Sequence, residues 1–209
     1  MKKIFAFAAV AAALLFAGNV NAQMSVNVGY APQTYKLTSG STVSTELDGF
    51  FAGINYNNSL GNGLGVSVGV DLRFNTKESK DNFYGVASQT ITKTQLLVDV
   101  PVLFNYTFKL NKDLSVSPFV GPTFSLGLTG KSKSEGNIAG WGGSKERDWY
   151  DENGDNRKRF DIAATFGLKV GFREFRLFGG YNLGLLNLSS ADNTTLKGSN
   201  WFIGLGYCL

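Results

Sequence analysis

The feature that most constrains this chain is an alternation of side-chain character with a period of two residues. Residues 64–74 carry apolar side chains at every even position and Gly, Ser, Asp or Arg at every odd position. Successive side chains of an extended strand point to opposite faces of its sheet, whereas a helix does not sort residues in this way. The pattern therefore predicts β-strands with one apolar face and one polar or glycine-rich face.

The same alternation recurs along the chain and predicts eight strands. They are residues 24–30, 50–56, 64–74, 96–110, 114–128, 160–172, 175–185 and 201–209. Short, turn-like links alternate with the long polar segments 31–48, 75–89, 129–158 and 188–199. An even number of strands with short and long links in turn is the layout of an outer membrane barrel. We therefore predict an all-β, eight-stranded, antiparallel, up-and-down transmembrane β-barrel.

The aromatic residues of the apolar face support this layout, because they gather at the two expected rims of the barrel. The outer rim would carry Tyr30, Phe50, Phe74, Phe160 and Trp201, and the inner rim Tyr56, Phe108, Phe172, Phe175 and Tyr207. A soluble lipocalin-like barrel also has eight antiparallel strands, but it points its apolar residues inward. Here the apolar face is uniform and would aggregate in water, which favours the membrane barrel.

The first residues have the layout of a secretory signal peptide. Lys2 and Lys3 precede an apolar run at residues 4–17, and small residues follow it. We expect a signal peptide at residues 1–22, cleaved before Gln23, and a single barrel domain at residues 23–209. Without the two lysines the net charge falls from +4 to about +2. A surplus this small gives no support for nucleic-acid binding.

The central hairpin resembles that of a known family. Its motif residues are Pro101, Leu103, Tyr106, Phe108, Pro118, Gly121 and Pro122. At these positions the hairpin is similar to that of the outer membrane protein beta-barrel domain family, which includes small eight-stranded barrels labelled porin-like. The last strand resembles the C-terminal recognition strand of such proteins, with Tyr207 third from the end, although Leu209 replaces the usual final Phe. The resemblance implies outer membrane lipid and the barrel-assembly machinery as partners.

The chain contains no histidine, which argues against enzymatic function. Its absence removes Ser–His hydrolase arrangements and the usual histidine-containing zinc sites. Asp151, Asn153 and Asp155 match part of a calcium loop, but a glycine stands at the fourth position instead of the sixth and Ile162 occupies the twelfth. We expect no catalytic residue, no metal site and no cofactor.

Charged residues on the polar face are candidates for a cluster in the barrel lumen. They are Asp71, Arg73, Asp99, Lys109, Asp161, Lys169 and Arg176. The interior of an eight-stranded barrel is just wide enough to be filled by side chains, so these charges are expected to form an ionic plug. Phe119, Phe178 and Phe202 would add bulk to the same lumen. The alternative is a narrow polar path for ions or small solutes.

The longest polar segment contains the aromatic residues Trp141, Trp149 and Tyr150. Aromatic side chains are enriched in binding hot spots, so an exposed set here is a candidate binding site. These residues could instead pack the loop onto itself or lie at the lipid headgroups. The leading functional hypothesis is a non-enzymatic outer membrane protein whose surface loops serve binding or envelope integrity. The alternative is a porin-like passive channel.

Overall fold

The computed structural model of the chain describes residues 22–83, 87–138, 141–151, 154–191 and 193–209. Within these ranges, the side chains at positions 22, 82, 83, 87, 88, 137, 138, 141 and 142 are not described. Residues 1–21 of the expected signal peptide lie outside the described residues, so cleavage before Gln23 stays a prediction.

The described residues form eleven antiparallel strands. They are β1 (Ala22–Tyr30), β2 (Gln33–Ser39), β3 (Ser41–Gly61), β4 (Leu64–Phe83), β5 (Ala87–Tyr106), β6 (Phe108–Lys109), β7 (Leu114–Ile138), β8 (Trp141–Asp148), β9 (Phe160–Phe172), β10 (Phe175–Gly184) and β11 (Thr195–Cys208). No helix in the described ranges is long and apolar enough to cross a membrane.

The strands pair in a ring of eight positions. Strands β3, β4, β5, β7, β9, β10 and β11 pair in that order around the sheet. The eighth position is shared by β1 and β2, each of which pairs with β3 on one edge and with β11 on the other. Each ring position therefore has a neighbour on both edges, as the absence of water from the hydrocarbon core of a membrane requires.

The two faces of this sheet sort side chains as the alternation predicts. Val28, Ile54 and Leu205 point outward and are exposed, and most outward-facing residues of the ring are likewise apolar. The inward face buries polar residues such as Asn75 and Thr165. The predicted all-β antiparallel fold with an apolar exterior is confirmed.

Several strands are longer than the alternation alone predicts. β3 has 21 residues, β4 has 20 and β7 has 25, whereas about 9–11 residues are enough to cross a bilayer. Much of the polar segments 31–48, 75–89 and 129–158, expected as loops, is therefore strand. Pairing in the hairpins β2–β3, β4–β5 and β7–β8 satisfies the backbone groups, and threonine-rich stretches suit an extended chain.

The two ends of the barrel differ. The long hairpins β2–β3, β4–β5 and β7–β8 extend from one end, which we call the loop end, and tight turns connect the strands at the other end, which we call the turn end. Asn62 and Gly63 connect β3 to β4 with φ angles of 52° and 85°. Positive φ at both central positions is the geometry that fits the right-handed twist of a hairpin, and Asn-Gly is its preferred sequence. At the next turn, Asn111 Oδ1 accepts hydrogen bonds from the backbone N–H groups of Asp113 and Leu114.

Candidate functional site

The lumen is filled across its middle by a layer of phenylalanine rings. The ring centroids of Phe51 and Phe178 are 6.1 Å apart, and those of Phe178 and Phe202 are 6.3 Å apart. Phe119 stacks on Phe202 at 6.3 Å. The four rings come from four different strands, so together they reach across the bore.

Each of these rings is matched by a glycine at the directly opposite position of a neighbouring strand. The register pairs are Phe51 with Gly29, Phe178 with Gly204, Phe202 with Gly180, and Phe119 with Gly167. A Cβ atom on Gly204 would lie 2.6 Å from Cζ of Phe178, and one on Gly180 would lie 2.8 Å from Cζ of Phe202. The glycines are therefore required by the close approach of the rings, not by backbone flexibility.

An ion pair lies next to this layer, on the side of the loop end. The guanidinium Nε of Arg73 is 2.8 Å from Oδ2 of Asp99, and the two side chains are only 5% and 9% exposed. Arg73 Nη1 donates to Gln33 Oε1 at 2.6 Å and to Asn200 Oδ1 at 2.8 Å. Ser125 Oγ donates to Asp99 Oδ1 at 2.5 Å. The charges of Arg73 and Asp99 are thus paired and hydrogen-bonded, as burial demands.

Amides and hydroxyls continue this network around the barrel wall. Asn182 Nδ2 donates to Asn200 Oδ1 at 3.1 Å, and Thr165 Oγ1 lies 2.7 Å from Asn182 Oδ1. The hydroxyls of Thr123 and Thr165 are 2.6 Å apart. With Arg73 and its partners, the network links seven strands and forms a second layer across the lumen.

The remaining free space inside the barrel is small. A cavity of about 90 Å³ touches Asp71, Lys169 and Arg176 along with the phenylalanine layer. Toward the turn end, Arg176 donates hydrogen bonds to Cys208 Sγ and to Gln23 Oε1. A second cavity of about 30 Å³ lies beyond the ion pair, beside Asp161. Spaces of this size hold a few water molecules, since one water occupies ~30 Å³ of liquid.

A third layer closes the mouth of the barrel at the loop end. The Tyr35 hydroxyl donates to Gln95 Oε1 at 2.7 Å, and Gln95 Nε2 donates to the Tyr150 oxygen at 2.9 Å. Trp149 meets the Tyr35 ring edge-on at 6.2 Å, and the guanidinium of Arg157 lies 4.3 Å from the centroid of the Trp149 ring. We call this group the cap.

The cap has a small apolar core of its own. Leu47, Leu188 and Leu196 are buried with Tyr35 and Trp149. Burial raises the pKa of the Tyr35 phenol far above its ordinary value, and the neighbouring Tyr150 raises it further. The phenol is therefore neutral at physiological pH and remains a hydrogen-bond donor to the Gln95 amide.

A ring of strands with apolar side chains on its outer face and a lumen filled by side chains is the architecture of small outer membrane barrels. The family model described as "Outer membrane protein beta-barrel domain" matches residues 11–190. The chain belongs to this family. As an outer membrane β-barrel protein it contacts lipid with its apolar face, and its loop end corresponds to the extracellular side in the topology of such barrels.

Among solved structures, this barrel is similar to several outer membrane proteins. Ail, the attachment invasion locus protein of Yersinia pestis, shares 16% identity over 91% of this chain and 100% of that chain, with a TM-score of 0.40. Neisserial surface protein A shares 14% identity over 90% and 98%, with a TM-score of 0.38. A major outer membrane protein from Thermus thermophilus shares 13% identity over 90% and 99%, with a TM-score of 0.42. No curated protein matches the sequence significantly.

The barrel brings most of the predicted lumenal charges together. Asp71, Arg73, Asp99, Lys169 and Arg176 border the larger cavity, and Asp161 borders the smaller one. Lys109 departs from the prediction. It is exposed, because it lies in the two-residue strand β6 at the rim of the turn end, beyond the enclosed part of the lumen.

For two aromatic residues of the longest loop, the structure shows the packing alternative. Trp149 is 1% exposed and Tyr150 packs against it, so these two side chains pack the loop onto itself and do not form an exposed binding site. The loop folds back over the mouth, and burial between Tyr35 and Arg157 is the physical reason. The side chain of Trp141 lies outside the described residues, as does Asn153 of the partial calcium motif. Asp155 of that motif is bound instead by Arg147 and Arg157.

Two structural residues were missed from the sequence. Phe51 completes the phenylalanine layer, and Tyr35 anchors the cap. Both point inward, and each has a glycine as a register partner, Gly29 for Phe51 and Gly198 for Tyr35. The alternation of side chains could have identified them. Phe51 follows the outward-facing Phe50, and Tyr35 stands between the polar residues Thr34 and Lys36.

Proposed function

We propose that this protein is a non-conducting, non-enzymatic outer membrane protein whose lumen is structural and whose extracellular sheet serves binding or envelope integrity. The observation that carries the proposal is the occlusion of the lumen by three successive layers. They are the phenylalanine layer, the Arg73–Asp99 network and the cap. A solute would have to displace all three, and each is held by packing or by buried hydrogen bonds.

The part of the sheet that extends beyond the membrane on the extracellular side is larger than the barrel needs in order to span the membrane. From Phe74 at the outer rim, β4 continues for about nine residues, which corresponds to ~30 Å of strand. The paired hairpins give this region a defined surface, and well-ordered surfaces support specific binding. The absence of histidine from the whole chain further supports a non-enzymatic role.

The alternative function is a porin-like channel for small solutes or ions. It is favoured by one observation, the presence of the charged residues Asp71, Lys169 and Arg176 around the larger lumenal cavity. A channel would require this cavity to join the smaller one past Arg73 and then to open through the cap. The pairing of Arg73 with three neighbouring side chains, those of Gln33, Asp99 and Asn200, favours the closed arrangement.

We propose two further features from the family and the sequence. The barrel is exported with cleavage before Gln23, and the barrel-assembly machinery recognises strand β11. That strand carries Tyr207 third from the end of the chain, exposed on the lipid face.

Solute entry into liposomes tests the proposal. The mature protein is reconstituted into vesicles, and its folding is checked by a heat-dependent shift on a gel. We expect uptake of a small sugar and of chloride to match protein-free vesicles. An uptake rate that rises in proportion to the amount of folded protein would establish the channel instead.

A further inference from the structure

A larger cavity lies outside the barrel lumen, on the extracellular side of the cap. It has a volume of about 480 Å³ and is bordered by the hairpin β2–β3, by β5, by the end of β8 and by the loop before β11. We call it the outer cavity. Small-molecule sites in proteins typically measure ~300–1,000 Å³, so the outer cavity is large enough for one organic molecule.

One wall of the outer cavity is apolar and open to water. Leu37 and Val43 are register partners in the hairpin β2–β3, and they are 40% and 57% exposed. Below them, Leu47, Trp149 and Leu196 form an apolar floor that belongs to the cap. Apolar side chains exposed along the inner wall of a concave site provide a contact surface for the apolar part of a ligand.

The facing wall is cationic. Lys93, Arg147 and Arg157 border the cavity with a single carboxylate, that of Asp155. Arg147 Nη1 lies 3.3 Å from Asp155 Oδ1, and Arg157 Nη2 lies 2.8 Å from Asp155 Oδ2. One negative charge is therefore shared by two arginines, which leaves a local excess of positive charge.

Lys93 adds a further positive charge to this wall of the outer cavity. It is the register partner of Lys77, and it lies near Asp155, the carboxylate that the two arginines already share. Burial lowers the pKa of Lys93, and the nearby Arg157 lowers it further. Like charges opposite one another on a sheet are unfavourable, so an anion bound here would relieve the repulsion.

From these two walls we infer that the outer cavity binds an amphipathic organic anion. Its carboxylate or sulfate group would lie against Lys93 and Arg147, and its hydrocarbon body would lie against Leu37 and Val43. An inorganic anion lacks the apolar contact and a neutral hydrocarbon lacks the charge, so both parts are needed. This inference rests on the proposed role of the extracellular sheet in binding.

Calorimetry with naphthalene-2-sulfonate tests the inference, because this probe is soluble, permanently charged and apolar. The mature protein is used in phosphatidylcholine nanodiscs, and empty nanodiscs provide the background. We expect saturable binding that Lys93→Gln and Arg147→Gln each weaken about tenfold, as for loss of a charged hydrogen bond. Val43→Ser should weaken binding several-fold. Lys145→Gln removes the same charge from β8 without bordering the cavity and should leave binding unchanged.

Several results would overturn the inference. They are heat that does not exceed that of empty nanodiscs, equal binding by all variants that give the gel shift of folded protein, and competition by inorganic sulfate as strong as by the probe itself. The last result would indicate a simple anion site. The two proposals can fail separately. A barrel that neither conducts solutes nor binds the probe contradicts only the inference about the outer cavity, whereas a barrel that conducts solutes contradicts the proposed function.

Discussion

Replacement of Asp99 by asparagine removes the negative partner of the lumenal ion pair while keeping its shape. In the wild type, Asp99 lies 2.8 Å from Nε of Arg73 and also accepts from Nη2 at 3.2 Å and from Ser125. An asparagine keeps one acceptor oxygen, and Gln33 and Asn200 still accept from Nη1. What is lost is the counter-charge of a guanidinium that is almost fully buried.

Removing one partner of a buried ion pair typically costs ~3–5 kcal/mol, because the other charge stays buried and uncompensated. Since two neutral acceptors remain on Arg73, we expect Asp99→Asn to lower the free energy of unfolding by about 3 kcal/mol. The assay is denaturant-induced unfolding of the mature protein in phosphatidylcholine vesicles, followed by tryptophan fluorescence. Replacement of both partners, in Arg73→Met with Asp99→Leu, should recover most of the loss.

An exposed ion pair provides the matched control. Arg173 Nε lies 3.6 Å from Asp113 Oδ1, and these side chains are 62% and 53% exposed. Exposed pairs contribute at most about 1 kcal/mol, so Asp113→Asn should change stability little. If Asp99→Asn and Asp113→Asn were equally mild, the lumen around Arg73 would be hydrated well enough to screen its charge, and the description of a buried ion pair that stabilises the barrel would be refuted.

Two further predictions concern the packing of the lumen and the direction of the faces. Gly204→Val should lower the free energy of unfolding by about 1–3 kcal/mol because the new side chain would clash with the rings of the phenylalanine layer. The control Gly143→Val, with nothing within 4 Å of its Cβ, should change stability little in the same unfolding assay. Equal effects of the two variants would contradict the close packing of the phenylalanine layer. In single-tryptophan variants, brominated lipid should quench Trp201, which is exposed at the outer rim, and spare Trp149 in the cap. The reverse order of quenching would mean that the faces are assigned wrongly.

The alternation of side chains was sufficient to predict the fold, because period two assigns every residue of a strand to one face or the other. Residues 64–74 illustrate this, since Leu72 and Phe74 are exposed on the outer face whereas Asp71 and Arg73 border the lumenal cavity. The positions of Arg73 and Asp99 on the inward face could be predicted in the same way. Their contact could not, because it depends on the register between β4 and β5, which pairs Asp71 with Asp99 and sets Arg73 diagonally across.

The extracellular region was less predictable, for a physical reason. In the extracellular parts of the hairpins β4–β5 and β7–β8, mostly polar residues occupy both faces. The sequence contrast that marks a membrane strand therefore disappears there, although backbone pairing continues. The burial of Trp149 depends on contacts with Tyr35 and Leu188, which are far away in sequence. Aromatic residues in a polar loop have the same local appearance whether they cap a barrel or face solvent.

The most direct test of the central claim, a lumen closed by its own side chains, is single-channel recording from the folded wild-type protein in planar bilayers. We predict a silent bilayer at voltages and salt concentrations where an open pore of similar strand number would conduct. The gel shift of the same sample shows that the protein is folded. Reproducible conductance steps whose ion preference changes in Arg176→Ala would contradict the account, because they would show a continuous aqueous path past the phenylalanine layer.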